Sequence, residues 1–313
     1  MINSFVLVKN LRSNSEELNF AGFKFMKIGS SWDYDLKRAQ QLFPKAWPLY
    51  KDWVYEKGYK DNDESEERIP FDVEDTLLLL RLFKPGDLVF LHLCFENASG
   101  ELFSQLPYRV MAYIHTTHMY NIQSEECPEF DTFANEIRSN KNWTSTWFQT
   151  ARRFFLYGGG KEYNPRHNYV DRVVDYMIAL EAILVPERDG FIGRRLRERA
   201  VSLLRHHNID RDHTKGLLRD FYNVRSAVVH GSDISPFKTG VLKRNIEFET
   251  VVRKIIIEAL KVLPENDNDR VAYLKQLCDV SDQDRADKVF SDFCSIKCDT
   301  IKRKCSDRIS NRL

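Results

Sequence analysis

Residues 221–231 read Phe221-Tyr222-Asn223-Val224-Arg225-Ser226-Ala227-Val228-Val229-His230-Gly231. With Leu217 and Leu218 ahead of them, Phe221, Val224 and Val228 recur at three- and four-residue spacing, the apolar stripe of a helix. Gly231 marks the expected end, because glycine takes positive φ without strain. His230 is then the last helical residue, and Arg225 lies five positions before it. Five residues rotate a side chain by about 140° on a straight helix. A bend in the final turn is needed to bring the imidazole to the guanidinium. The pair joins a planar, permanently charged group to one that titrates near neutrality. Such a pair suits a phosphodiester: arginine holds two phosphate oxygens in a fork, and histidine takes or gives a proton at pH 7. A helix C-terminus also favours histidine through the macrodipole alone, so spacing by itself does not separate the two readings.

Helical patterns flank this segment on both sides. Trp143 to Leu156 is amphipathic, with Trp147, Ala151, Phe154 and Phe155 on one side. Gly158-Gly159-Gly160 follows and lacks the Lys-Ser/Thr of a nucleotide loop, so a flexible connection is expected there. Pro165 can open the next helix, which runs through Val170, Val173, Met177, Leu180 and Leu184 to Pro186. It is the most hydrophobic helix in the chain and the expected centre of a bundle. Glu181 lies inside it and requires a partner, since an unpaired buried charge is costly. Arg225 is one possible partner, and the sequence alone does not choose it. Helices over Gly193 to Arg205, from Asp210 as N-cap, and over Thr239 to Leu263 complete the set.

Between Arg188 and Arg225 ten basic residues face five acids, a surplus of five inside a chain of net charge +1. Arg194, Arg195, Arg199 and Arg219 belong to this run and are candidate contacts for a polyanion such as RNA. A solvated, salt-bridged helix face would read the same way. His206, His207 and His213 lie in the same region, without a carboxylate or cysteine at ligand spacing.

The first 120 residues are mixed. Phe5 to Val8, Phe20 to Ile28, Leu88 to Phe95 and Tyr108 to His115 read as strands. A broken helix is expected over Asp33 to Tyr55, with Pro44 and Pro48 interrupting it. An exposed loop is expected over the charged residues 56–68. Asp72 reads as the N-cap of a helix reaching Phe83, with Asp75 as the acid of a capping box; Lys84-Pro85-Gly86-Asp87 stops it. This half shows no glycine-rich phosphate loop, paired carboxylates or metal-ligand spacing. The tail starts at the polar linker Glu265-Asn266-Asp267-Asn268-Asp269 and ends in a basic stretch with Cys294, Cys298 and Cys305, where a zinc site lacks a fourth ligand.

The fold class is therefore α+β. A mixed α/β domain over 1–135 serves as sensor or specificity module, an all-α bundle spans 140–265, and a charged tail with short helices spans 266–313. At 313 residues each domain has ample length for a core. No basic region followed by an apolar stretch opens the chain, and no apolar run approaches the roughly 20 residues that cross a bilayer. Six cysteines without a secretory signal read as reduced thiols, and a cytoplasmic location is expected.

Three stretches together carry a family resemblance: Asp171-Arg172…Asp175-Tyr176-Met177-Ile178-Ala179-Leu180-Glu181-Ala182-Ile183-Leu184, then Arg195…Glu198-Arg199-Ala200…Leu203-Leu204, then residues 221–231. Over about 140–265 the chain resembles a HEPN domain (higher eukaryotes and prokaryotes nucleotide-binding), most closely the Apea-like group. The resemblance implies an α-helical bundle and a metal-independent endoribonuclease whose Arg-x4–6-His motif works at a homodimer interface. Arg225 and His230 then become the catalytic residues, supported by Ser226, Glu181, Tyr222 and Asn223. No cofactor and no metal are implied, and the expected partners are RNA and a second copy of the chain. The expected setting is a bacterial defence effector that stops growth by cutting host or phage RNA. Ser226 departs from the Asn, Asp or His common after the arginine in that family, and serine is no general base unaided. A catalytically silent RNA-binding or dimerisation module is the alternative.

Overall fold

The computed structural model describes residues 2–20, 22–28, 41–42, 53–59, 63–97, 99–107, 119–160, 168–186, 191–237 and 240–279. The chain is α+β: an N-terminal sheet region followed by helices. Among the described residues the strands are β1 (Ile2–Lys9), β2 (Leu11–Arg12), β3 (Glu17–Phe20), β4 (Phe23–Lys27), β5 (Trp53–Tyr59), β6 (Val89–Glu96), β7 (Leu102–Pro107) and β8 (Tyr120–Asn121). The helices are α1 (Asp63–Phe83), α2 (Cys127–Arg138), α3 (Thr146–Gly160), α4 (Asn168–Leu184), α5 (Ile192–Leu203), α6 (Arg211–Val229), α7 (Asn245–Val262) and α8 (Asp267–Asp279). Among these helices none is long and apolar enough to cross a membrane.

Six strands form an antiparallel sheet in the order β3-β4-β5-β1-β6-β7. β1 lies between two partners and is buried on both faces, as its run Phe5-Val6-Leu7-Val8 requires. Side chains alternate across it. Val6, Phe25, Tyr55 and Phe90 join the core that continues into the helices, whereas Phe5, Leu7, Met26 and Val54 form a second layer with Leu42. β2 and β8 make a short parallel pair.

Several local expectations change. Phe20 to Ile28 is not one strand: a turn with Gly22 at φ +76° separates β3 from β4. Residues 56–68 are not a loop, since β5 reaches Tyr59 and α1 already begins at Asp63. The acids Asp63, Glu64, Glu66 and Glu67 suit a helix N-terminus, where the macrodipole favours negative charge, and Pro70 is carried inside the helix. Asp72 is thus no N-cap; it pairs with Lys57 at 2.9 Å, and Asp75 pairs with Arg152. Trp53 and Val54 belong to β5 rather than to a helix. The glycine triplet does not break α3 but lies in its last turn. A Cβ on Gly158 would come within 2.6 Å of the Tyr176 ring, and one on Gly159 within 2.4 Å of the Arg81 guanidinium. These glycines serve close packing rather than flexibility. The strand expected over Tyr108 to His115, the helix start at Pro165 and the three tail cysteines lie outside the described residues.

α4 is the centre of the helical half, as its composition predicts. It packs against α3, α5, α6 and α7, and Val173, Met177, Leu180, Ile183 and Leu184 are fully enclosed. The last carbonyls of a helix have no partner within it, and here side chains from other elements supply the donors. Arg253 of α7 donates to the Arg81 and Leu82 carbonyls at the end of α1, both at 2.7 Å. Arg81 of α1 donates to the Leu156 and Gly159 carbonyls at the end of α3, at 2.9 and 2.7 Å. Arg199 reaches the Leu184 carbonyl of α4 at 2.7 Å, and Arg270 reaches those of Ala182 and Ile183. Asn142 does the same for Leu260 and Leu263 at the end of α7. Positive charge is favoured at these helix ends by the macrodipole.

Candidate functional site

α6 forms for the reasons its sequence announces. Asp210 caps it by accepting from the His213 amide at 3.0 Å, and Leu217, Leu218, Phe221 and Val224 are buried. Phe221 stacks on Phe248 of α7 with ring centroids 4.1 Å apart. The helix closes by a Schellman motif: Gly231 takes φ +67°, its amide donates to the Val228 carbonyl at 3.1 Å, and the Ser232 amide donates to Ala227 at 2.7 Å. His230 is the C-cap residue, with its amide on the Ser226 carbonyl.

The buried carboxylate finds its partner. Arg225 Nη2 donates to Glu181 Oε2 of α4 at 3.0 Å, with both side chains about four-fifths buried. Burial pushes the Glu181 carboxyl above its usual range, against the opposing pull of Arg225. Arg225 Nε and Glu181 Oε1 have no hydrogen-bond partner, so the contact is single rather than bidentate. The guanidinium also lies 6.0 Å from the centre of the Tyr222 ring. Tyr222 in turn rests on the first turn of α5, where a Cβ on Gly193 would meet it at 2.8 Å. The arrangement holds one arginine between a carboxylate and an aromatic ring, with its unbonded Nε buried.

The remaining candidates divide. His230, Asn223, Arg194 and Arg219 are exposed, and Ser226, Tyr222 and Arg195 are half-buried. α6 stays regular to Val229, so Arg225 and His230 keep the offset of a straight helix. The Schellman hydrogen bonds satisfy the terminal carbonyls of the last turn. Arg199 is a correction: at 2% exposure, bonded to the Leu184 carbonyl, it caps a helix and offers no charge to a surface ligand. Arg219 is paired with Asp220 at 3.3 Å and Lys215 with Glu198 at 2.8 Å, so part of the basic surplus is spent within the fold. Among the described residues no three His, Cys, Asp or Glu side chains are grouped for a metal ion. His207 pairs with Glu258 at 3.2 Å, and His213 meets Glu247 and Arg244.

These two classes of arginine should separate in a stability measurement. Arg199→Ala orphans a buried carbonyl and opens a cavity, which should cost about 2–4 kcal/mol. Arg194→Ala, on the surface, should stay within about 0.5 kcal/mol of wild type. Thermal unfolding of the two variants checks this; equal melting temperatures would refute the capping role.

Sequence reasoning missed the part played by the Phe191-Ile192-Gly193 segment in seating Tyr222. The available signal was the glycine at a helix start, where a packing reason can be suspected. Comparison with models of known families, with curated proteins and with solved structures finds no match to this chain.

Proposed function

We propose that residues 140–265 form a HEPN-like bundle acting as a metal-independent endoribonuclease. The observation that carries this reading is Arg225, held in place by Glu181 and Tyr222, just over one turn before an exposed histidine at a helix end. In the reaction, the 2′-oxygen attacks phosphorus and the bond to the 5′-oxygen breaks. One proton leaves the 2′-hydroxyl and another reaches the departing 5′-oxygen. Arg225 neutralises charge on the phosphorane, and His230 handles a proton. The products carry a 2′,3′-cyclic phosphate and a 5′-hydroxyl.

One His230 supplies one titratable group, whereas the reaction uses a base and an acid. A homodimer built on an isologous interface at the end of α6 would bring two histidines and two arginines to one cleft. Val229, 54% exposed beside His230, is an apolar residue such a contact would cover. The five-residue offset of Arg225 from His230 on a regular helix favours a second reading, a silent RNA-binding or dimerisation module.

Incubating pure protein with total tRNA and mRNA in EDTA, beside His230→Ala, tests the first reading. Cleavage by wild type alone is expected. Activity lost in EDTA and restored by Mg²⁺ or Zn²⁺ would overturn metal independence, and intact RNA throughout would leave the binding module. Sedimentation should show a dimer; a monomer cutting at the same specific activity would contradict the shared cleft.

A further inference from the structure

Phe191 breaks two local rules at once. It is the N-cap residue of α5, yet it has no side-chain oxygen to accept from the helix amides, and none is supplied by a capping hydrogen bond. It also sits in the left-handed region at φ +63°, ψ 29°. Only one other described non-glycine residue has positive φ: Asn10, a residue type that tolerates it and whose amide donates to the Asp87 carbonyl at 2.8 Å. A bulky phenylalanine in that region is strained. Strain of this kind persists where the side chain has a use. Its ring buries little in return, since Phe191 is 80% exposed, the most exposed of the large hydrophobic side chains described.

Its position gives that exposure a context. Two residues on, Gly193 packs against Tyr222, whose ring lies beside Arg225. Arg194, exposed, and Arg195, half-buried, follow in the first turn of α5. A bare aromatic ring, with arginines in the helical turn that follows it, matches the chemistry of single-stranded nucleic acid: bases stack on the ring and cations follow the backbone. A paired base, already stacked within a duplex, has no free face to give.

We propose that Phe191 is a base-stacking residue that restricts the Arg225 site to unpaired RNA. The inference rests on the ribonuclease reading above and adds the substrate class to it. Phe191 selects the strand; it takes no part in moving protons.

The test is binding of a short, unstructured RNA carrying 2-aminopurine, with 2′-O-methyl sugars so that it is not cut. A duplex of the same sequence serves as the second probe. Wild type should bind the single strand in preference and quench its fluorescence by stacking. Phe191→Asn should bind about ten-fold more weakly or worse. Its melting temperature should be unchanged or raised by roughly 2–4 °C, because asparagine suits both the cap and the left-handed backbone. Phe191→Trp should restore binding. A merely structural phenylalanine would instead lose stability and binding together. Wild-type affinity in Phe191→Asn overturns the inference and leaves the ribonuclease reading standing. Equal affinity for duplex also overturns it, as does a loss of binding accompanied by dissociation in sedimentation, which would make Phe191 a protein contact. Failure of wild type to bind either probe removes both readings.

Discussion

His230→Ala is expected to lower RNA cleavage by about a thousand-fold while leaving the melting temperature unchanged. The imidazole is exposed at a helix end and closed below by backbone hydrogen bonds that do not involve it, so its removal opens no cavity. Arg225→Ala should be as inactive but less stable. Without the guanidinium, Glu181 is left as a buried charge with no partner. Its folded carboxyl already titrates above the unfolded value of 4.5 because of burial, and loss of Arg225 raises it further. A raised folded value means that the penalty is absent below about pH 4.5 and grows as pH rises through the folded value. The stability gap between Arg225→Ala and wild type should therefore be wider at pH 7 than at pH 4.5. Cleavage assays with a substrate deoxygenated at the scissile 2′ position, and unfolding curves at both pH values, measure these effects. Near wild-type activity in His230→Ala, or equal cutting of the 2′-deoxy substrate, would refute the assignment.

Arg81→Ala should have the largest effect on stability. The guanidinium is buried, and its hydrogen bonds run to three backbone carbonyls: Leu88 at 2.6 and 3.1 Å, Leu156 at 2.9 Å and Gly159 at 2.7 Å. Truncation strips all three and leaves a void where the side chain lay. Each orphaned buried acceptor costs about 1–3 kcal/mol and the cavity adds to it, so a loss of about 4 kcal/mol or more is expected. That corresponds to a fall of roughly 10 °C in melting temperature. Gly159→Ala attacks the same contact from the other side, since its methyl group would overlap Arg81 Nη1. Both variants should unfold the sheet and the bundle together. Trp53, whose indole N–H donates to the Leu11 carbonyl at 3.1 Å in the sheet region, and Trp147 in α3 report on the two halves. Separate transitions at the two tryptophans would show that Arg81 does not join them.

The helices of the second half were legible because each carried both a period and a stop signal. Asp210, Gly231 and the stripe from Leu217 to Val228 delimit α6 with no tertiary knowledge. The start of α1 was not, because a charged run reads as solvated whether it is helical or not, and Asp72 with Asp75 imitated a capping box. Arg225 and Glu181 were both identifiable, but their pairing depends on the crossing of α4 and α6, which no local spacing encodes. Arginine was the least legible residue type. Arg194 and Arg199 stand five apart on one helix, and only the position of the α4 terminus makes one a surface charge and the other a buried cap. Phe191 was invisible for a related reason: exposure and backbone strain are properties of the folded chain.

The relay of buried arginines bears on how such a protein can change over generations. Arg253, contributed by the helical half, holds the end of a helix that belongs to the N-terminal half, and that helix returns Arg81 to the end of α3. The apolar core likewise runs without a break from Val6 in the sheet to Leu277 in the last described helix. A recombination joint placed near residue 139 would exchange the sheet for another while keeping the bundle's reading frame. The newcomer would still have to offer two carbonyls to Arg253 and an arginine to Leu156 and Gly159. A sheet that lacked either feature would leave a buried helix end or a buried arginine without partners, so the two halves can be exchanged only as a matched pair.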